Sequence, residues 1–155
     1  MAPRYAENTT VSSERSRAEV ESLLRKYGAG KFGYMWESNA AVVVFEMRAR
    51  RVRFLLPLPD KSDPKFFHTP TGRARRNPNA SYEKWEQDCR SRWRALVLCI
   101  KAKLESVESG IETFEEAFLP HIVLPNGETI GEYVIPHIGE AYSARKMPPL
   151  LAVGK

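Results

Sequence analysis

The residues of this chain best suited to acid–base chemistry are a group of glutamates followed by a histidine. Glu112, Glu115 and Glu116 lie close together, and His121 follows Glu116 by five residues. A carboxylate beside an imidazole can move a proton, so Glu116 and His121 are a conceivable catalytic pair. Thr113 and Glu116, however, have the spacing of a capping box, which uses the carboxylate to begin a helix. We therefore expect no catalytic residue, and an enzyme is the least favoured class of function.

The histidines and cysteines lack the spacing of a metal site. His68, His121 and His137 are far apart in the sequence, and Cys89 and Cys99 are separated by ten residues. Ten residues of helix span about 15 Å, which is too far for a disulfide bond. The sequence therefore predicts two free thiols, no metal and no cofactor.

Arginines and aromatic residues in the predicted strands indicate a binding surface. The residues are Arg48, Arg51 and Arg53, expected on neighbouring strands, and Phe32, Tyr34 and Trp36, alternating along the first strand. Single-stranded nucleic acid binds surfaces of this kind, because bases stack on rings and phosphates pair with arginine. The sequence leaves open which side of the sheet the rings occupy. The alternative is that they join the core while the arginines are only solvated.

A basic segment at 59–80 follows the predicted strands. It is rich in Pro, Gly and Asn, and it carries Arg73, Arg75 and Arg76. A connection of this length without secondary structure is usually functional or disordered. As a mobile loop it could close over a phosphate backbone or a small anionic ligand, and the alternative is a solvated insertion. Together with Tyr34, Trp36 and the strand arginines, these loop arginines complete the predicted nucleic-acid-binding set.

Length and composition are those of one globular domain. The chain has 155 residues, of which 43% are hydrophobic and 28% charged, and disordered chains are poorer in apolar residues. No apolar run approaches the roughly 18 residues of a membrane span, and the polar N-terminus does not have the pattern of a signal peptide. The net charge of +5 favours an anionic partner. We therefore expect a cytoplasmic protein that binds nucleic acid or a nucleotide and no membrane.

The segment from Ser81 to Ser109 is predicted to be one long helix that organises the fold. Its apolar residues recur at three- and four-residue steps. The period changes to two over 31–58, which predicts three antiparallel strands, and a helix beginning at Ser12 or Ser13 precedes them. The long helix is the best cover for the apolar face of this meander. The predicted class is α+β: an N-terminal helix, a three-stranded meander packed on a long helix, and short C-terminal helices.

The remaining segments complete the predicted organisation. Residues 1–12 are expected to be a flexible arm, and 13–155 a single α+β domain. Thr113 and Thr129 each precede a glutamate by three residues, which predicts two short capped helices, and Pro136 should kink or interrupt the second. The apolar tail MPPLLAV is expected to pack on the domain or on a second subunit. We therefore expect a homo-oligomer.

The predicted order of elements resembles two nucleic-acid-binding folds. Over 13–109 it is similar in topology to double-stranded-RNA-binding domains, whose second helix begins with several lysines where this chain has only Lys84. The meander on a long helix also resembles the core of single-strand annealing recombinases, many of them from phages, which form rings and bind DNA in a basic groove. RRVRFLLPLP, WRALVLCIKAKLE and LPNGETIGE resemble segments of small uncharacterised phage and prophage proteins.

Two functions from different classes follow from these expectations. The first is a nucleic-acid-binding protein of phage or mobile-element type that binds single strands without catalysis in a bacterial host cell. The second is a phage counter-defence or interaction protein that sequesters a host factor or a nucleotide signal. In the second case the same arginines would line a pocket, often between subunits.

Overall fold

The computed structural model describes residues 2–149 and has the predicted order of helices and strands. The elements are α1 (Ser13–Lys26), β1 (Lys31–Glu37), β2 (Ala40–Met47), β3 (Arg50–Pro57), α2 (Pro64–Phe67), α3 (Pro78–Glu108), α4 (Phe114–Phe118), a 3-10 turn (Leu119–His121) and α5 (Ile130–Ala144). The predicted α+β class is confirmed. The tail prediction concerns 147–153, of which 150–153 lie outside the described residues.

The sheet is an antiparallel meander in which β2 lies between β1 and β3. Alternate residues of β2, from Ala41 to Met47, are buried, and Val52, Phe54 and Leu56 of β3 are buried with them. Because side chains alternate along a strand, these residues share one face of the sheet. That face is the apolar one, and α1, α3 and α4 cover it.

Aromatic residues from the sheet and α4 form the centre of the core. Phe118 is fully buried, and its ring centroid lies 5.8 Å from that of Phe45 and 6.3 Å from that of Phe54. Phe114 of α4 stands 4.9 Å from Phe118. The edge-to-face arrangement of Phe118 on both strand rings is the geometry that aromatic quadrupoles favour.

The long helix begins three residues earlier than its periodicity predicts. Asn77 caps it, accepting a hydrogen bond from the Ala80 amide at 2.8 Å, and Pro78 occupies the first turn. Proline suits that turn because its missing N–H would have no partner there. The segment at 59–80 also contains the short α2, which buries Phe66.

The segments at either end contact the domain. Gln87 on α3 donates hydrogen bonds to the carbonyls of Glu7 and Thr9, at 3.1 and 2.9 Å, so the N-terminal arm lies along α3; its flexibility stays a prediction. The capping box at Thr129 is present, and α5 then runs without a break through Pro136. The predicted interruption is wrong, whereas the alternative, a kink at Pro136, stays a prediction. Pro136 is exposed, so water can bind the carbonyl that lacks its helical partner.

Replacing Phe118 with alanine should lower the free energy of unfolding by about 3–5 kcal/mol, because it leaves a cavity among three aromatic neighbours. Ile111→Ala is the matched control, since Ile111 is 77% exposed, and it should change stability by less than about 0.5 kcal/mol. Urea unfolding followed by circular dichroism measures both. Equal stabilities of the two variants would contradict the central position of Phe118.

Candidate nucleic-acid interface

The aromatic row of β1 lies on the sheet face opposite the strand arginines. Tyr34 and Trp36 pair across the ladder with buried residues of β2, whereas Arg51 and Arg53 alternate with the buried residues of β3. Neither ring is enclosed, since 41% of Tyr34 and 72% of Trp36 are exposed. A surface shared by these rings and the strand arginines is therefore not formed. The binding role of each residue stays a prediction.

The strand arginines already have partners in the chain. Arg51 donates a hydrogen bond to Glu46 at 3.0 Å. Arg53 donates to the Gly127 carbonyl at 2.9 Å and to Glu132 at 2.8 Å. Hydrogen bonds from Arg51 and Lys31 lower the pKa of Glu46, which keeps that carboxylate charged. These contacts reduce the positive charge that the face offers to a phosphate.

Arg48 lies in the turn between β2 and β3, not on the sheet face as predicted. Arg48 and Ala49 have φ values of 50° and 59°, the left-handed backbone of a two-residue type I′ turn. Such turns are normally marked by Asn-Gly, and Arg-Ala carries no such signal. The guanidinium of Arg48 instead lies 5.8 Å from the centroid of the Phe114 ring.

An open cleft, the aromatic cleft, lies between the start of α1, the β1–β2 turn and the first half of α3. It has a volume of about 580 Å³, within the range of about 300–1,000 Å³ typical of small-molecule sites. All three tryptophans of the chain, Trp36, Trp85 and Trp93, line it together with Tyr82. Trp93 is buried, whereas Trp36 and Tyr82 are 72% and 52% exposed. The cleft thus presents flat apolar faces to solvent.

Two cations lie against the rings of the aromatic cleft. The Lys61 ammonium is 4.3 Å from the centroid of Trp85, and the Arg17 guanidinium is 5.4 Å from that of Trp93. Trp85 also donates from Nε1 to the Pro59 carbonyl at 2.8 Å, which ties the segment after β3 to α3. Contacts within the chain therefore hold the rings of Trp85 and Trp93.

Carboxylates outnumber cations around the aromatic cleft. Its acidic residues are Glu14, Glu37, Asp60 and Glu86, and its basic residues are Arg17 and Lys61. Hydrogen bonds from the Ser62 hydroxyl and amide lower the pKa of Asp60, so its negative charge persists at neutral pH. The cleft consequently favours neutral or cationic groups over phosphate.

A second depression, the basic groove, lies between the N-terminal arm, α2, the segment at 68–76 and α3. Its volume is about 440 Å³. Its charged residues are Arg4, Lys65, Arg76 and Lys84 against Glu7 and Asp88. Asp88 is shared, at 3.3 Å from Arg4 and 3.2 Å from Lys65. Cations therefore remain in excess here, in contrast to the aromatic cleft.

The predicted loop arginines have different roles around the basic groove. Arg76 donates from its guanidinium to the Lys65 carbonyl at 3.0 Å, so it holds the loop against α2. Arg73 and Arg75 are exposed, and neither forms an ion pair with another residue in the described part of the chain. These two side chains are available to an anionic ligand.

The aromatic cleft and the basic groove flank the first half of α3. Tyr82, Trp85 and Cys89 face the cleft, whereas Lys84 and Asp88 face the groove. Glu86 and Trp93 also line the cleft and Gln87 the groove, and at 100° per residue the centres of the two full sets lie roughly 160° apart, on opposite faces of the helix. The helix body between them is about 10 Å wide, a distance that about three stacked nucleotides of one strand span.

Glu116 and His121 do not form the catalytic pair considered from the sequence. Glu116 accepts a hydrogen bond from the Thr113 amide at 2.8 Å and completes a capping box. The His121 ring stacks on Phe54 at 3.9 Å. Burial and the nearby Lys103 lower the pKa of His121. Within 2–149 no cluster of His, Cys, Asp and Glu has the geometry to hold a metal ion.

Cys89, at the wall of the aromatic cleft, should react slowly with alkylating reagents. Burial, with the adjacent Asp88, raises the pKa of its thiol to about 11. Little thiolate is present at pH 8, so we expect alkylation on the order of 100-fold slower than for an ordinary exposed thiol. Cys99 is exposed and supplies the internal comparison. Peptide mass spectrometry after timed iodoacetamide treatment measures both, and equal rates would contradict this environment for Cys89.

His121 should make the protein sensitive to mild acid. Its pKa lies below the ordinary value of 6.5, so below that pH the unfolded chain binds a proton that the folded chain resists. Stability should fall as the pH decreases from 6.5 through the lowered value, and His121→Phe should reduce that loss. Urea unfolding across this pH range tests the expectation, with His68→Ala, an exposed position, as the control. An unchanged pH profile in His121→Phe would contradict it.

The candidate interface contains only some of the residues predicted from sequence. Trp36, Arg73, Arg75 and Arg76 lie at or beside the cleft and the groove, while Arg48, Arg51 and Arg53 lie elsewhere. The predicted set lacks Lys61, Lys65, Lys84 and Trp85, whereas Trp93 lines the cleft from a buried position in the core. No helix within 2–149 has the length and apolar character required to cross a membrane. Comparisons with protein-family models, curated proteins and solved structures gave no match.

Proposed function

We propose that this protein binds single-stranded nucleic acid around the first half of α3, without catalysis. Unpaired bases stack in the aromatic cleft, and the backbone phosphates lie in the basic groove and against Arg73 and Arg75. The observation that carries the proposal is the pairing of an aromatic cleft with a cation-rich groove on opposite faces of one helix.

The charge difference between the two sites matches the two parts of a nucleotide. Bases are neutral, so the carboxylates of the aromatic cleft do not repel them, and Trp36 and Tyr82 offer exposed rings for stacking. Phosphates are anionic, and they are attracted to the groove, where cations outnumber carboxylates. The N-terminus of the 31-residue α3 adds the positive end of its dipole beside the same groove.

The partner is single-stranded because stacking on the cleft requires an unpaired base. In a duplex the faces of the bases are already stacked on their neighbours, and only an extruded or unpaired base can enter a cleft. We extend the proposal to a phage or mobile-element setting in a bacterial cell, where the expected partner is phage DNA or RNA.

Removing the free loop arginines should weaken binding of a fluorescein-labelled oligothymidylate, measured by anisotropy over a salt series. The parent protein should bind, and Arg73→Ala/Arg75→Ala should lower the slope of log affinity against log salt by about 1.4. Tyr82→Ala should cost about 1–3 kcal/mol of binding at every salt concentration, because it removes a stacking ring. Arg51→Ala is the matched control, since Arg51 is paired with Glu46, and it should bind as the parent does.

Three outcomes would count against this placement. Absence of binding at low ionic strength would remove the function itself. A loss in Arg51→Ala equal to that in the loop variant would move the phosphates to the sheet face. Equal affinity for duplex and single-stranded oligonucleotides would contradict stacking of unpaired bases in the aromatic cleft.

A second candidate function is favoured by the acidic balance of the aromatic cleft. Rings surrounded by carboxylates accept cationic side chains, and Lys61 already lies over Trp85 in this manner. The protein would then be an interaction protein that sequesters a host factor through a lysine or arginine of that factor. A fluorescein-labelled oligoarginine peptide discriminates the candidates: binding that is lost in Tyr82→Ala but kept in Arg73→Ala/Arg75→Ala favours the interaction protein.

A further inference from the structure

The last helix, α5, carries an apolar stripe that the chain itself leaves uncovered. Gly131, Ile135, Ile138 and Tyr142 recur at three- and four-residue steps, so they share one face of the helix. Gly131 is buried against Pro120, and a side chain there would come within 2.9 Å of the Pro120 carbonyl. Beyond it, Ile135, Ile138 and Tyr142 are 63%, 43% and 84% exposed. The stripe therefore starts at a packed contact and continues into solvent.

The sheet face opposite the core is also apolar at its centre. Met35, Val42 and Leu55 form one cross-strand row there, and Met35 and Leu55 are 66% and 64% exposed. A depression of about 460 Å³ lies beside this row, lined by Met35, Val42 and Val44 among others. The depression can accommodate branched aliphatic side chains.

The charges around the two surfaces are complementary. Three cations, Lys31, Arg51 and Arg53, border the sheet depression against one carboxylate, Glu46, whereas α5 carries Glu132 and Glu140. The same attraction is already present within one chain, where Arg53 and Glu132 form an ion pair at 2.8 Å. Glu140 lies two turns further along the helix, and its only described ion-pair partner is His137 at 3.4 Å.

We propose that the protein self-associates through α5: the apolar stripe of each copy packs on the open sheet face of the other copy. The occupant is a second copy because the two complementary surfaces occur on one chain, yet both stay exposed within it. A two-fold axis forms both contacts at once and closes the assembly as a dimer. The inference does not rest on the proposed function, because the aromatic cleft and the basic groove involve the opposite side of the sheet and α3.

Sedimentation equilibrium of the full chain over a dilution series tests this dimer. The parent protein should reach twice the 17.7 kDa chain mass as its concentration rises. Ile135→Asp/Ile138→Asp on the helix and Leu55→Asp on the sheet should each remain at the monomer mass. Ile111→Asp is the control, because Ile111 is an exposed isoleucine outside both surfaces, at 77% against 63% for Ile135, and it should dimerise as the parent does.

A mixing experiment distinguishes this helix-on-sheet contact from a contact between two α5 helices. An equimolar mixture of the helix variant and the Leu55→Asp variant contains one intact helix–sheet contact for each pair of chains. The mixture should therefore be heavier than either variant alone at the same total concentration. Circular dichroism verifies that each variant is folded, and Leu55→Ser replaces Leu55→Asp should the latter unfold.

Three results would overturn this dimer or one of its two surfaces. A parent protein that stays monomeric throughout the dilution series overturns it. Unchanged association in the helix variant overturns the role of α5. If the helix variant loses association while both Leu55 variants still associate as the parent does, the contact is between two α5 helices. That result overturns the role of the sheet.

Discussion

Burial of one face of the three-stranded sheet beneath α3 is the interaction on which the other elements depend. The sheet alone would expose a row of valine and phenylalanine side chains, and three strands need such a cover to be stable. α3 supplies it from Trp93 to Leu104. However, α3 has 31 residues and is about 46 Å long, much longer than a strand of eight residues at about 27 Å. The first half of α3 is consequently free to form the walls of other sites.

The placement of charge follows from that geometry. Near the sheet, arginines form ion pairs with carboxylates of a neighbouring strand and of α5: Arg51 pairs with Glu46, and Arg53 with Glu132. Beyond the sheet, several segments reach the first half of α3. The carboxylates around the tryptophans come from α1, β1, the segment after β3 and α3 itself. The cations beside Asp88 come from the N-terminal arm, α2, the segment at 68–76 and α3. A chain of modest net charge thus contains two neighbouring sites of opposite electrostatic character.

The sequence predicts the elements well and the sites less well, for physical reasons. Capping residues such as Ser12 and Thr113 act within a few positions, so helix starts can be inferred locally. The left-handed turn at Arg48 has no such local signal, because neither of its central residues is glycine or asparagine. The aromatic cleft joins residues separated by up to 80 positions, and only packing of α1 on α3 brings them together. The spacing of Tyr82, Trp85, Cys89 and Trp93 did indicate a common helix face, but not that part of it stays open.

The face of the sheet on which the aromatic residues of β1 lie depends on the register between β1 and β2. Tyr34 pairs with Val43, so the aromatic row faces α3, while a shift by one residue would place it among the arginines. As an edge strand, β1 has one neighbour and little burial to reveal its orientation.

The gathering of all three tryptophans at one cleft gives the protein an unusual optical property. Ultraviolet emission excited at the red edge of the protein absorption band comes from indole rings, and here every indole reports on the same small region. Opening of the segment after β3, which releases the Trp85 bond to Pro59, would alter that emission while the sheet remained folded. Conversely, disruption near α4 and α5 would be nearly invisible to it. The emission spectrum of the intact chain therefore reports mainly on the conformation around the first half of α3.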